Sequence, residues 1–256
     1  MTHSGRSTLE RHKPFVCQAD GRLSLHFGSP AIQSEMRCDA PCELVVPYTR
    51  TMMGFLLFDP EPADIAVIGL GGGSIPKYCY SRLPQSSVIV TEINPQVVAL
   101  REVFRIPPDD ERFRVLCEDG AAFVHRAANC IDVLLVDGFD GDGQAPQLCT
   151  QAFYDDCARS LAPDGVLVVN LVVEDPFLER SLGRIRRSFK KAVCVESEDG
   201  ANRVAFAGNG AALEVSFEQQ CARLKALDPY HPVDLRETLQ RIRDEQYRMG
   251  LGSEVF

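Results

Sequence analysis

The chain has 256 residues, a net charge of −9, and globular proportions of hydrophobic (45%) and charged (25%) residues. Its length allows one large domain with appendages, and its acidic charge argues against nucleic acid as a general partner, because a phosphate backbone needs a basic face. No apolar run approaches the ~18 residues that cross a bilayer, and the polar first residues lack the apolar stretch of a signal peptide. We therefore expect a cytoplasmic protein with no membrane partner.

The predicted elements divide the chain into three regions. Residues 1–58 predict short strands and turns, then a helix that starts near Pro47, and we expect this region to cover the active site. Residues 59–210 alternate buried apolar strands with helices, which is typical of a parallel sheet covered on both faces. Residues 211–256 predict two charged amphipathic helices. The predicted fold class is α/β: a Rossmann-like, doubly wound, mostly parallel seven-stranded sheet with a small N-terminal β-region and a C-terminal helical extension.

Two local patterns refine the middle region. Asn94 followed by Pro95 predicts a helix N-terminus, and we expect that helix to run through Phe104. Residues 193–196 and 203–206 flank an Asp-Gly turn and predict an antiparallel hairpin at the edge of the sheet.

A glycine-rich loop, Gly-Leu-Gly-Gly-Gly-Ser at residues 69–74, follows the first buried strand. Missing side chains let a ligand approach the backbone and the start of the next helix, although glycine also serves tight turns for steric reasons alone. A dinucleotide-binding fingerprint would need Gly or Ala at position 74, which is Ser. The spacing favours the methyltransferase-like pattern instead of NAD. The candidate nucleoside-binding residues of this loop are Gly69, Gly71, Gly72, Gly73 and Ser74.

Acidic residues follow three further strands, and the strand ends of an open parallel sheet are where ligands bind. Glu92 ends the second strand, where a carboxylate can accept both ribose hydroxyls of a nucleoside, or can simply be solvated. Asp119, before Gly120, can accept a hydrogen bond from an adenine amine, can cap the next helix, or can do both. Asp137 and Asp140 follow the fourth strand, near the expected reacting end of the nucleoside. Asp137 is the best catalytic candidate, with a plain loop Asp as the alternative.

Together these residues resemble the spermidine synthase family of polyamine aminopropyltransferases, with the similarity running from about residue 21 to residue 209. Its nucleoside-binding acid and Asp-Gly pair match Glu92 and residues 119–120, and its catalytic loop matches residues 137–140. The resemblance implies that Asp137 is the base, that Gln33 contacts the nucleoside and that Tyr48 lines an amine channel. It also implies decarboxylated S-adenosylmethionine as co-substrate, methylthioadenosine as product, a polyamine acceptor such as putrescine, and a homodimer.

The chain departs from this family pattern at positions that decide the substrates. The family has Asp after its three glycines, where it pairs with the aminopropyl ammonium, whereas this chain has Ser74. Arg50 stands where the family has Glu, and it could repel a diamine or find a carboxylate. These departures leave two alternatives to aminopropyl transfer: a methyltransferase that uses intact S-adenosylmethionine, and a non-catalytic nucleoside-binding relative.

Ten cysteines raise the question of a metal site or of disulfides. Most lie inside predicted core elements, where reduced thiols behave as small apolar side chains. Cys38 and Cys42 form the one close pair outside such elements, and no His/Cys cluster follows at metal-ligand spacing. We therefore predict no metal site.

Overall fold

A computed structural model of the protein describes residues 13–28, 30–140, 143–227 and 229–250, with only the backbone of Asp140. An N-terminal antiparallel sheet, ordered β1-β2-β3, comes first. Its strands are β1 (Pro14–Ala19), β2 (Arg22–Phe27) and β3 (Ser34–Arg37). The tight turn between β1 and β2 has positive φ at both Asp20 (49°) and Gly21 (72°), which suits the twist of a two-residue hairpin loop.

The remaining strands form a large central sheet and one small hairpin. In chain order they are β4 (Asp64–Ile68), β5 (Ser87–Thr91), β6 (Phe113–Leu116), β7 (Ile131–Val136), β8 (Phe139–Asp140), β9 (Gly143–Gln144), β10 (Leu161–Val172), β11 (Lys191–Glu196) and β12 (Asn202–Gly208). The seven-stranded sheet has the order β11-β12-β10-β7-β4-β5-β6, and β8 and β9 form a separate two-stranded sheet. Strands β10, β7, β4, β5 and β6 are parallel, whereas β12 is antiparallel to both β10 and β11. The predicted fold class and edge hairpin are confirmed.

The central strands are apolar because both faces of the sheet are buried. In β4, Ile65 and Val67 belong to one core cluster, whereas Ala66 and Ile68 belong to the other. Successive side chains of a strand point to opposite faces, so every residue of such a strand needs an apolar environment.

The described residues form eight α-helices, the last two of which lie in the C-terminal region after the central sheet. They are α1 (Pro47–Met52), α2 (Ser74–Arg82), α3 (Pro95–Val98), α4 (Gly120–Arg126), α5 (Gln151–Ser160), α6 (Leu178–Ser188), α7 (Phe217–Leu227) and α8 (Arg236–Arg248). Helix α1 continues as a 3-10 turn through Leu57. Leu239 and Ile242 of α8 are buried in the same core cluster as Phe206 of β12, so the C-terminal helices share the core of the central sheet.

The prediction of a helix through Phe104 is wrong. Asn94 does cap α3, since its side chain accepts a hydrogen bond from the backbone N–H of Gln96, but the helix ends at Val98. Beyond it the backbone hydrogen bonds change to the three-residue spacing of turns, from Leu100 to Val97 and from Arg101 to Val98. The Phe104 carbonyl accepts a hydrogen bond from the buried Lys77 ammonium (2.7 Å). Arg105 then adopts a positive φ of 53°. Turns and a tertiary contact therefore stand where the sequence predicted helix.

Candidate active site

A cavity of about 720 Å³ lies at the carboxyl ends of β4, β5, β6 and β7, under the N-terminal sheet and α1. Nine of the twelve predicted site residues line this cavity, so the fold brings them to one place. They are Gln33, Tyr48, Gly69, Gly71, Ser74, Glu92, Asp119, Gly120 and Asp137. The Asp140 side chain lies outside the described part of the structure. Its predicted role stays a prediction.

Other parts of the protein pack closely against the glycine loop and leave no room for side chains at three of its glycines. Gly69 has φ 97°, and a Cβ there would lie 2.2 Å from the Asp137 carbonyl oxygen. Gly72 and Gly73 are not among the residues lining the cavity. A Cβ at Gly72 would lie 2.9 Å from the Phe104 ring, and one at Gly73 would lie 2.5 Å from Ile106. The structure thus gives these two glycines a packing reason for having no side chain, and their predicted ligand contact stays a prediction.

Glu92 faces the cavity while also holding the glycine loop. Its Oε2 accepts a hydrogen bond from the backbone N–H of Leu70 (3.0 Å), and its Oε1 accepts one from Asn94 (2.8 Å). Burial raises the pKa of Glu92, opposed by these backbone N–H groups. Hydrogen bonds from the backbone N–H groups of Gly71 and Ile93 also favour the ionised form of Glu92. The carboxylate is therefore held in place at the wall of the cavity, where its predicted contact with the ribose stays a prediction.

Asp119 lines the cavity and caps α4 at the same time, as the two sequence interpretations allowed. Its Oδ1 accepts a hydrogen bond from the backbone N–H of Ala121 (2.9 Å). Gly120 is required next to it because a Cβ there would lie 2.4 Å from Ile68. The cap therefore lies directly against the end of β4.

Tyr48 and Asp137 form a hydrogen-bonded pair across the cavity. Tyr48 is the second residue of α1, after a proline at the first helical position, and its hydroxyl donates to Asp137 Oδ2 (3.0 Å). Burial raises the pKa of Asp137, opposed by hydrogen bonds from Asn170 and Tyr48. The pKa of Tyr48 is also raised well above its usual value, by burial first and then by the neighbouring carboxylate. The phenol therefore stays a donor, and the carboxylate is a stronger base than an exposed Asp.

Two amide side chains that the sequence analysis missed complete this side of the cavity. Asn170 Nδ2 donates to Asp137 Oδ1 (2.8 Å), and Asn202 Nδ2 donates to Asn170 Oδ1 (2.9 Å). Both residues line the cavity, although Asn170 is only 2% exposed. A polar residue inside the apolar run of β10 was the available signal for Asn170, because a buried amide needs partners.

Arg50 finds a carboxylate, which resolves the two possibilities left by the sequence. Its Nε donates to Glu198 Oε1 (2.9 Å), and its Nη1 donates to the carbonyl oxygens of Leu44 and Val45 (2.8 Å each). Glu198 belongs to the turn between β11 and β12. The Arg50 charge is therefore paired outside the cavity lining.

Ser74 begins α2 and is buried beside a second serine. Its hydroxyl lies 3.4 Å from Ser34 Oγ and 3.4 Å from the Glu35 carbonyl oxygen. This part of the wall offers neutral oxygen atoms where the family pattern has a carboxylate.

The described residues also bear on metal binding and on membrane insertion. They contain no group of three or more His, Cys, Asp or Glu that could hold a metal ion. Cys38 and Cys42 are free thiols. Within the same residues, no helix is both long and apolar enough to span a bilayer.

Residues 46–198, more than half of the chain, match the spermine/spermidine synthase domain family. The chain belongs to the spermine/spermidine synthase family. This family member is 35% identical over 223 residues to a polyamine aminopropyltransferase of Neisseria meningitidis, covering 86% of this chain and 85% of the relative. It is 41% identical over 190 residues to a polyamine aminopropyltransferase of Chromobacterium violaceum, covering 73% of each chain. The resemblance stated from the motifs is confirmed.

Solved structures share the fold of this family member at low sequence identity. A spermidine synthase in complex with the transition-state analogue AdoDATO superposes with a TM-score of 0.68 at 18% identity, covering 93% of this chain and 88% of the other. Human methyltransferase-like protein 13 in complex with SAH gives a TM-score of 0.63 at 22% identity, covering 76% and 93%. Both a synthase and a methyltransferase thus use this fold, so the side chains of the site must decide the chemistry.

Proposed function

We propose that this family member transfers an aminopropyl group from decarboxylated S-adenosylmethionine to putrescine or a similar amine, and releases methylthioadenosine. The observation that carries the proposal is the half-buried Asp137 carboxylate, held between Tyr48 and Asn170 beside the glycine loop and Glu92. The names of the Neisseria and Chromobacterium relatives support the same reaction.

The first step of the proposed reaction is removal of a proton from the acceptor amine, which requires a base. A primary alkylammonium has a pKa near ~10, so the acceptor must lose a proton before its nitrogen can attack. Asp137 takes that proton. The nitrogen lone pair then forms a bond to the methylene carbon beside the sulfonium, the carbon–sulfur bond breaks, and sulfur keeps the electron pair as methylthioadenosine leaves. The flat ring of Tyr48 lies where it can line the alkyl chain and contact a cationic end.

The donor is bound in this proposal by the strand-end residues. Glu92 accepts the ribose hydroxyls, Asp119 and Gly120 lie at the adenine, and Gln33 contacts the nucleoside from the N-terminal side. The aminopropyl ammonium lacks an acid at position 74, so Asp137 or Asp140 supplies the negative charge. The donor is a co-substrate and not a resident cofactor.

Methyl transfer from intact S-adenosylmethionine is the second candidate, and Ser74 favours it. A hydroxyl does not repel the carboxylate that intact S-adenosylmethionine carries, whereas an Asp at this position would. A non-catalytic nucleoside-binding protein is the third candidate. The organised contacts of Tyr48, Asp137 and Asn170 favour an enzyme over that third candidate.

A ligand panel separates the three candidates. Thermal unfolding is measured with decarboxylated S-adenosylmethionine, S-adenosylmethionine, methylthioadenosine and S-adenosylhomocysteine, and turnover with putrescine is followed by mass spectrometry. A ligand at 100 times its Kd adds about 2.7 kcal/mol, which raises the Tm of a chain this size by roughly 5–10 °C. We expect the decarboxylated donor to give the larger shift and methylthioadenosine to form. Preference for the intact donor with formation of S-adenosylhomocysteine would establish the methyltransferase, and binding without any turnover the non-catalytic relative.

We also propose that the enzyme works in the cytoplasm as a homodimer. All ten cysteines are free thiols, which supports a reducing compartment. The family resemblance supports the dimer. Light scattering of the purified chain tests the oligomeric state, and fractionation of the cells that make it tests the compartment.

A further inference from the structure

Three side chains, two from strands and one from the residue that follows a strand, form one continuous hydrogen-bonded chain beside the reacting centre. Asp137 follows β7, Asn170 lies in β10, and Asn202 begins β12. The donor–acceptor distances are 2.8 Å between Asn170 and Asp137 and 2.9 Å between Asn202 and Asn170. We call this set the amide chain.

The chemistry of its members gives the amide chain one direction. An ionised carboxylate can only accept hydrogen bonds, so Asn170 must turn its NH₂ group towards Asp137. Its carbonyl oxygen then faces Asn202, which must present an NH₂ group in turn. The direction is therefore set by the charge of Asp137, and every donor in the chain points towards that charge.

The far end of the amide chain is anchored by the backbone. The N–H of Asn202 donates to Ser197 Oγ (3.0 Å), and its carbonyl oxygen accepts from the Ser197 N–H (2.8 Å). Asn202 also lies opposite Val172 in the β10–β12 ladder. These contacts fix its Cα, so only the amide orientation remains free.

We propose that Asn202 and Asn170 are positioning residues, whose one-way amide chain holds the Asp137 carboxylate oriented and ready to accept a proton. This inference rests on the proposed function for its catalytic consequence. Neither amide exchanges a proton with the acceptor. Asn202 acts through Asn170, and Asn170 acts through Asp137.

Four other titratable groups in or beside the cavity come from different elements. Tyr48 on α1 donates to its other oxygen atom. Glu92 after β5 and Asp119 after β6 line the same cavity. Arg50 of α1 is paired with Glu198. A substitution at position 202 leaves all four of these groups in place.

Reversing the polarity of the amide chain tests the proposal without any substrate. Asn202→Asp keeps the shape but places an acceptor opposite the Asn170 oxygen. The single amide of Asn170 then lies between two carboxylates. Its carbonyl oxygen must face one of them, so one hydrogen bond is replaced by a repulsion between two oxygen atoms. We expect the Tm at pH 8 to fall by about 4 °C or more.

The decisive variant is the double substitution Asp137→Asn with Asn202→Asp. The new amide at position 137 donates to Asn170, Asn170 turns over and donates to the new carboxylate at 202, and the chain is satisfied in the reverse direction. We expect the double variant to have a higher Tm than Asn202→Asp alone. If the two losses simply add, the proposal is overturned. If Asn202→Asp alone does not fold, a folded double variant supports the proposal and an unfolded one contradicts it.

A matched control uses the same substitution at the other end of the hairpin. Asn209 is exposed, and its side chain accepts from the Lys190 N–H rather than from the amide chain. Asn209→Asp should therefore show no rescue by Asp137→Asn. An equal rescue would mean that the effect reports net charge and not the amide chain.

The pH dependence of turnover gives a second test, because a purely structural role for Asn202 would not change it. A base works only when it is deprotonated, and a repulsive neighbour raises the pKa of Asp137, so the acidic limb of kcat/KM should move up by about one pH unit or more in Asn202→Asp. An unmoved limb with reduced kcat would contradict the positioning role. If the wild-type chain shows no aminopropyl transfer, the proposed function fails, while the stability cycle still decides whether the amide chain exists.

Discussion

The two halves of the cavity are built in different ways. The half that would bind the nucleoside, which we call the donor half, uses side chains that accept hydrogen bonds from backbone N–H groups, as Glu92 does from Leu70 and Asn94 and Asp119 does from Ala121. The half around Asp137, which we call the acceptor half, uses side chains that bind one another over long separations, 89 residues from Tyr48 to Asp137 and 33 residues from Asp137 to Asn170. Single changes in the donor half should therefore act on ligand affinity and on the local backbone, whereas changes in the acceptor half should spread through coupled side chains.

The largest expected effect is in the acceptor half. Asp137→Asn keeps the size of the side chain but removes proton acceptance, so turnover should fall by ~100-fold or more while nucleoside affinity is retained. Since burial raises the pKa of Asp137, we also expect the acidic limb of wild-type kcat/KM to lie above the usual carboxyl value near ~3.9. Steady-state kinetics across pH, with calorimetric titration of methylthioadenosine, measure both.

Asp140→Asn is the comparison for that variant, because Asp140 is the other acid of the same loop. Near-full activity in Asp137→Asn together with its loss in Asp140→Asn would show that the two roles are reversed. Loss of nucleoside affinity in Asp137→Asn would show that the two halves are not separable in the way that their contacts indicate.

The donor half should show a smaller effect, on affinity rather than on the chemical step. Glu92→Ala removes hydrogen bonds to a charged acceptor, each worth roughly 1.5–3 kcal/mol, so any adenosine-type ligand should bind at least ~10-fold more weakly. Glu118→Ala is the matched control, because Glu118 follows the next strand but pairs with the exposed Arg126. Calorimetric titration measures both affinities, and the Tm checks folding. Unchanged affinity in folded Glu92→Ala would remove the ribose assignment.

The same contrast explains how much the sequence could predict. Strand ends of a parallel sheet share one edge, so Glu92, Asp119 and Asp137 could be brought together from the order of elements alone. Asn202 could not be found in this way, because its role depends on the antiparallel register that places it near Asn170. The partner of Arg50 could not be found either, because Glu198 lies 148 residues away in sequence. The contact of Lys77 with the Phe104 carbonyl, in the segment where the sequence predicted helix, is likewise not revealed by local spacing.

The smallest expected effect concerns Ser74, where the two halves meet and the chain departs from its family. Ser74→Asp places a charge at the first residue of α2, and a helix N-terminus stabilises negative charge, so the variant should fold. The new carboxylate should tighten decarboxylated S-adenosylmethionine by a few-fold, through a charge-assisted hydrogen bond to its ammonium, and should weaken the intact donor by repelling its carboxylate. Ser74→Asn is the control, because it adds similar bulk without charge and should change the two affinities alike. Competitive binding of the two donors to wild type and to both variants measures the preference. A wild-type preference for the intact donor, with methyl transfer to any amine, would overturn the aminopropyltransferase proposal, because Ser74 would then mark a site that accepts the donor's carboxylate.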